Sequence, residues 1–259
     1  MKHLIYRFME NSDYIFGIHS AIEAIEAGRT VDKLLIKKDL NGELAIRLIH
    51  LAKDYGIPVQ RVPVEKLNRI TRKNHQGVIG FMSAVAYYSL EDILPAMFED
   101  GVLPFLLVLD GITDVRNFGA IARTAECCGV NAIVIPQRGS VTVGADAVKT
   151  SAGALLHIPV CRVASLPQAV QYIKDSGCQI VCATEKASEN YTLGDYTTPL
   201  ALVMGAEDTG ISPEVLRKAD TRSAIPMFGK IGSLNVGVAA GVMMYEVVRQ
   251  RLEGNLEII

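Results

Sequence analysis

From Pro104 onward, short apolar runs and amphipathic stretches take turns, and that alternation limits the architecture more than any other feature of the chain. PFLLVLD, NAIVIP, IPVCRV, CQIVCAT and PLALVMG read as strands; GAIARTAECCG, the stretch through AVQYIKDSG and the closing GVAAGVMMYEVVRQRLEG read as helices. Strands that are apolar along their whole length need cover on both faces, so the pattern predicts an α/β domain built on a mostly parallel sheet. Ligands of such sheets sit beyond the carboxyl ends of the strands, and that is where chemistry is sought.

Residues 17–84 carry a second, smaller α/β pattern. GIHSAIEAIEAG places Ile18, Ile22 and Ile25 at helical spacing, VDKLLIKK is a strand, NGELAIRLIHLAKDYG is a helix, PVQRVP is a strand, VEKLNRIT is helical and VIGFMSAV returns to strand. Between the two patterns, residues 85–104 hold four acids and no base, with Ser89 placed to cap a short helix through Asp92. The expected organisation is therefore a small domain over 1–84, a linker over 85–104 and a larger domain over 105–259.

Several classes are disfavoured at this stage. A chain of 259 residues that is 49% hydrophobic has enough apolar surface to fold. The N-terminal MKHLIYRFMENSDYIFG lacks the long apolar core of a signal peptide, and no apolar run reaches the roughly 18 residues of a membrane span, so a cytoplasmic protein is expected. The five cysteines form no CxxC pair and the five histidines are scattered, so no metal is expected. Gly205 and Gly210 have phosphate-loop spacing, but Ile211-Ser212 stands where Lys-Ser/Thr is needed. GxSxG and GxGxxG are absent as well, which argues against a serine hydrolase and a nucleotide-binding oxidoreductase.

Three glycine-bearing segments follow apolar strands. In DGITDVRNFGAIARTAE the stripe Ile121, Ala125, Cys128 turns Arg123 outward, and Asn117 stands where a helix cap is expected. In LVMGAEDTGIS, Gly205 lets a ligand come close to the backbone, with the acid Glu207 beside it. In IPMFGKIGSLNVGVAAGVMMYEVVRQ, Ser233 and Asn235 open a helix whose Gly237, Ala239, Ala240 and Gly241 point to close backbone packing against a ligand loop or another helix. Taken singly, these segments also fit an ordinary capped helix with a solvated arginine, a glycine turn and simple core packing.

In this order and spacing the three segments resemble the motifs of the SpoU (TrmH) branch of the SPOUT RNA methyltransferases: Asn117-x-Gly119 with Arg123-Thr124-Ala125, Leu202 to Glu207, and Ile225-Pro226-Met227 with Ser233-Leu234-Asn235. Phe16-Gly17-Ile18-His19-Ser20 and His75-Gln76-Gly77 resemble the small L7Ae/L30e-like RNA-binding domain of the 23S ribosomal RNA guanosine-2′-O-methyltransferase group. The resemblance implies a SPOUT sheet with a deep trefoil knot, S-adenosylmethionine as cofactor, a homodimer, and ribosomal RNA as partner. A transfer RNA enzyme of the same family and a non-catalytic RNA-binding assembly factor are the alternatives.

The resemblance also implies site roles. Arg123 is the catalytic residue; a guanidinium with a pKa above about 12 is a poor base, so it is expected to clamp an RNA phosphate and stabilise the developing alkoxide. Asn117 and Asn235 fix RNA and loop geometry, Glu207 positions their partners and Ser233 orders the loop. Gly205, Ile225 and Leu234, with Met204, Ala206 and Met227, hold the adenosyl moiety. The family's usual Asp-Pro is here Asp114-Val115, followed by Arg116 as a possible phosphate contact. The net charge of −2 hides a surplus over 1–84, where 13 bases face 9 acids. Arg72, Lys73, His75 and Gln76 are the expected RNA contacts there.

Overall fold

The structure is a computed structural model that describes residues 14–254. The stretch read against a signal peptide falls largely outside those residues. The chain divides into two compact units, one of residues 1–85 with 142–145, the other of 86–141 with 146–259.

The N-terminal unit contains β1 (Tyr14–Phe16), α1 (Ile18–Glu26), β2 (Val31–Lys37), α2 (Glu43–Asp54), β3 (Val59–Val62), α3 (Val64–Ile70) and β4 (Val78–Met82). Its sheet runs β1-β4-β2-β3, with β4 antiparallel to both neighbours and β2 parallel to β3. Side chains alternate across a strand, so Leu34 and Ile36 pack with α1 and α2 on one face while Leu35 packs with Ile79 and Leu67 of α3 on the other. The unit also takes in Thr142–Ala145: the Val143 N–H donates to buried Asp32 Oδ2 at 2.8 Å, and its carbonyl accepts from the Ala84 N–H at 2.7 Å.

The C-terminal unit contains β5 (Tyr87–Tyr88), α4 (Leu90–Glu99), β6 (Phe105–Asp110), α5 (Val115–Cys127), β7 (Ala132–Pro136), α6 (Ala145–Thr150), β8 (Val160–Val163), α7 (Leu166–Asp175), β9 (Gln179–Ala183), β10 (Glu189–Asn190), β11 (Leu200–Gly205), α8 (Pro213–Leu216), β12 (Thr221–Ala224) and α9 (Val236–Glu253). Its eight strands run β10-β12-β9-β11-β6-β7-β8-β5, and every recorded pairing is parallel. The chain builds outward from β6 through β7 and β8, then resumes on the other side of β11, so the strand order reverses between β6 and β11. Such a reversal opens a crevice at the carboxyl ends of the strands.

The stretch read as a linker holds α4, and Ser89 Oγ accepts from the Asp92 N–H at 3.2 Å. At the far end, the α9 side chain of Arg251 is buried and donates to the carbonyls of Leu103, Pro104, Tyr196 and Thr198, with burial lowering its pKa to about 10. Four carbonyl acceptors replace the water that the guanidinium loses. They tie the end of α9 to the start of β6.

Candidate active site

Asp114, not Asn117, caps α5: its Oδ1 accepts from the N–H groups of Arg116 at 2.9 Å and Asn117 at 2.8 Å. The helix begins four residues earlier than the glycine-alanine pattern suggests. Val115 takes the first helical position, which proline tolerates because the N–H there has no helical acceptor. The Asp-Val departure therefore leaves the cap intact. Asn117 is released from capping, and its Oδ1 accepts from Asn235 Nδ2 at 3.0 Å.

Asn235 is fully committed. Its Nδ2 donates to Asn117 Oδ1 and, at 2.6 Å, to Glu207 Oε1, while its Oδ1 caps α9 by accepting from Gly237 and Val238 N–H at 3.0 and 3.3 Å. Glu207 Oε1 also accepts from the Val236 N–H at 3.1 Å. Three segments far apart in sequence thus meet at one amide. Because Asn117 accepts through oxygen, its NH₂ group is the end left to act as a donor. Gly237 and Gly241 bring α9 against α5, with a Cβ at either lying 3.6 Å from Ala120 Cβ and 3.7 Å from Thr124 Cγ2 respectively. The close-packing partner is another helix.

Beside this cluster lies an open cavity of about 660 Å³. Met204, Gly205, Ala206, Ile225, Met227, Ser233 and Leu234, all sequence candidates, line it. Ala183, Thr184 and Glu185 at the end of β9 line it too and were missed, although their position after the CQIVCAT strand was the available signal. Gly205 acts differently from expectation. A Cβ there would lie 2.2 Å from Gly210 C and 2.3 Å from Ile211 N, so its missing side chain admits the chain's own returning backbone. Gly119 is similar, with a Cβ meeting Thr150 Oγ1 at 2.2 Å.

A second recess of about 520 Å³ is lined by Gly111, Thr113, Asp114, Asn117 and Asp208 and shares Ala206, Glu207 and Val236 with the first. Arg123 lines neither cavity. It is exposed on α5 with no hydrogen-bond or ion-pair partner among the described residues. Arg116 is exposed at the second position of the helix.

The N-terminal candidates separate. Arg72, Lys73 and Gln76 are exposed, whereas His75 is buried and spent on its own loop. His75 Nδ1 accepts from the Gly77 N–H at 3.0 Å, which leaves the proton on Nε2, and Nε2 donates to Asn68 Oδ1 at 2.9 Å. The imidazole holds a turn in which Gln76 and Gly77 have φ of 48° and 81° and is corrected here from RNA contact to loop brace. Among the described residues no group of His, Cys, Asp or Glu is arranged to hold a metal, and no helix is long and apolar enough to cross a membrane.

The cavity suits S-adenosylmethionine. Its lining combines apolar Met204, Ile225 and Leu234 with polar Thr184, Glu185 and Ser233, the mixture that an adenosyl group and a charged sulfonium tail call for. Comparison with known proteins gives the same direction. Residues 104–245 match the SpoU rRNA Methylase family, and 14–88 match the domain described as RNA 2′-O ribose methyltransferase substrate binding. A Bacillus subtilis protein named as a TrmH family tRNA/rRNA methyltransferase, YacO, is 39% identical over 93% of this chain and 97% of its own. Among solved structures, an AdoMet-bound rRNA methyltransferase from Sinorhizobium meliloti matches with a TM-score of 0.57 and 27% identity, covering 91% of this chain and 86% of that one. The A. aeolicus TrmH/SpoU tRNA modifying enzyme matches with a TM-score of 0.53 and 32% identity, covering 64% of this chain and 86% of that one. The chain belongs to the SpoU (TrmH) family of RNA methyltransferases.

Proposed function

We propose that this protein transfers a methyl group from S-adenosylmethionine to a ribose 2′-hydroxyl of RNA, with a guanosine of 23S ribosomal RNA as its target. The observation that carries the reading is the pair of adjoining recesses, with Ala206, Glu207 and Val236 lining both. One has the lining for the cofactor; the other is polar and borders Asn117. Two recesses that meet at shared residues let the reactants lie side by side, the orientation that an in-line transfer needs. Ribosomal rather than transfer RNA is favoured by coverage: the Sinorhizobium meliloti rRNA enzyme matches 91% of this chain, the A. aeolicus tRNA enzyme 64%.

When bound, the cofactor supplies a methyl group on a positively charged sulfur. The chain's own residues hold the approach to it. Glu207 and the α9 cap fix Asn235, Asn235 fixes Asn117, and the Asn117 NH₂ group donates to the RNA backbone at the second recess. Arg123, exposed and unpaired outside both recesses, clamps a phosphate of the bound RNA, and the hydroxyl loses its proton to that phosphate or to water. Ser233 orders the loop that covers the cavity. The enzyme works as a homodimer, for which exposed Val238 and Tyr245 on α9 supply apolar surface.

Replacing Arg123 with alanine is expected to reduce methyl transfer by at least about a hundredfold while leaving cofactor affinity unchanged. Calorimetric titration and tritium transfer to 23S and transfer RNA transcripts, run in parallel, check this. Retained activity would remove Arg123 from its role, and labelling of transfer RNA alone would reassign the target.

A further inference from the structure

We propose that the open face of the N-terminal sheet, carrying Tyr14, Phe16 and Phe81 and flanked by Lys33 and Lys73, is a stacking surface for unpaired nucleotides of RNA. This rests on the reading above that the protein acts on RNA. Register alone makes the surface: Tyr14 pairs with Phe81, and Phe81 pairs with Lys33, so three neighbouring strands present two aromatic rings and an ammonium in one row. Phe16 lies next along β1, its ring centroid 6.2 Å from that of Tyr14, and Tyr14 stands 6.4 Å from Phe81. The opposite face is covered by α1 and α2, whereas among the described residues the seven-residue α3 is the helix that packs on this one, through Leu67 and Ile70. The three rings stay half-buried.

The charges around the rings decide the occupant. Lys33 Nζ sits 4.6 Å from the Phe81 centroid and Lys73 Nζ 5.1 Å from that of Phe16, and neither has a carboxylate in ion-pair reach among the described residues. Burial lowers the Lys33 pKa, the Asp32 carboxylate opposes the fall, and the Lys66 ammonium adds to it. Exposed Lys66, Arg69 and Arg72 continue the positive surface from α3 into the following loop. Planar rings beside unpaired cations match a nucleobase and its phosphate together. A base takes the place of an ammonium over a ring, and the ammonium moves to the phosphate that enters with it. Duplex RNA hides the faces of its bases, so the fit is to unpaired segments.

The protein has no tryptophan, so Phe81→Trp in the full-length chain makes a single fluorescent reporter. Its emission is expected to be quenched by a short unpaired RNA and not by the same strand annealed to its complement. Phe81→Leu, which keeps an apolar side chain, is expected to weaken unpaired-RNA binding about tenfold by fluorescence anisotropy. Lys33→Gln and Lys73→Gln on the sheet surface are each expected to lower the slope of log affinity against log salt by about 0.7, and they carry the test if Phe81→Leu melts early. Unchanged tryptophan emission while anisotropy reports binding, or unpaired and duplex RNA bound alike by every variant, would overturn the proposal and leave RNA methylation standing. If the unsubstituted protein neither binds nor methylates RNA, both readings fall.

Discussion

In the C-terminal unit the central strands β6 and β11 are buried along nearly their whole length, whereas the N-terminal sheet leaves Tyr14, Phe16 and Phe81 half open to solvent. Charge divides the same way. The N-terminal unit carries 13 bases against 9 acids, and the rest of the chain 13 against 19. A parallel sheet sealed on both faces keeps its polar chemistry at the strand ends, where Asp110, Gly205 and Glu207 gather. The small sheet, covered on one face by α3 among the described residues, leaves aromatic side chains half-buried there instead. The contrast separates attraction of a polyanion by a basic surface from the holding of a cofactor in a shaped cavity, and each side of it can be perturbed alone.

Gly205→Ala strikes the C-terminal side hardest. Its new methyl group meets backbone at 2.2 Å, which no rotamer change relieves. A loss of about 3 kcal/mol in stability is expected, with cofactor affinity down at least tenfold. Calorimetry and thermal melting check it, and an unshifted melt would mean that Gly210 and Ile211 yield. Raising salt from about 50 to about 200 mM works on the N-terminal side. With about five phosphate contacts, RNA affinity should drop about a hundredfold while cofactor affinity stays level. A matching salt response in cofactor binding would erase the distinction.

Smaller effects sharpen the comparison. Asn235→Ala removes the α9 cap and is expected to cost about 1 kcal/mol in a denaturant melt, together with a loss of transfer because Asn117 is no longer held. The five cysteines all lie in the C-terminal unit. Burial pushes the thiols of Cys128, Cys161 and Cys182 up to about 12 and that of Cys178 to about 11, while Cys127 is exposed. Below those values the buried thiols stay protonated and unreactive. A thiol reagent at about pH 8 should therefore add one label per folded chain by mass spectrometry, and further labels should follow only the melting of that unit.

Much of this was legible in the order of residues, because β6, β7, β9 and β11 are short and apolar along all but their end positions, which suits a strand covered on both faces. β12 was not, since TRSA has a single apolar side chain and is held by its partner strand rather than by its own pattern. Nor could periodicity find Val143 on Asp32, a contact that spans 111 positions. At the site, the glycines were visible but their reason was not. Gly205 makes room for Gly210, and only a folded backbone reveals which neighbour a missing Cβ admits. His75 misled for a related cause: a histidine in a basic stretch looks like a ligand until both ring nitrogens are found engaged. The knot came from resemblance alone, as periodicity records elements and not threading.

On the proposed reading, a sulfonium methyl in one recess meets a ribose oxygen in the other at the residues that the two share. Tritiated S-adenosylmethionine, the full-length protein and 23S ribosomal RNA, followed by alkaline hydrolysis, test it most directly. A methylated 2′-oxygen cannot attack the adjoining phosphate, so the label should appear in alkali-resistant dinucleotides. Label released in mononucleotides would place the methyl on a base and contradict the account.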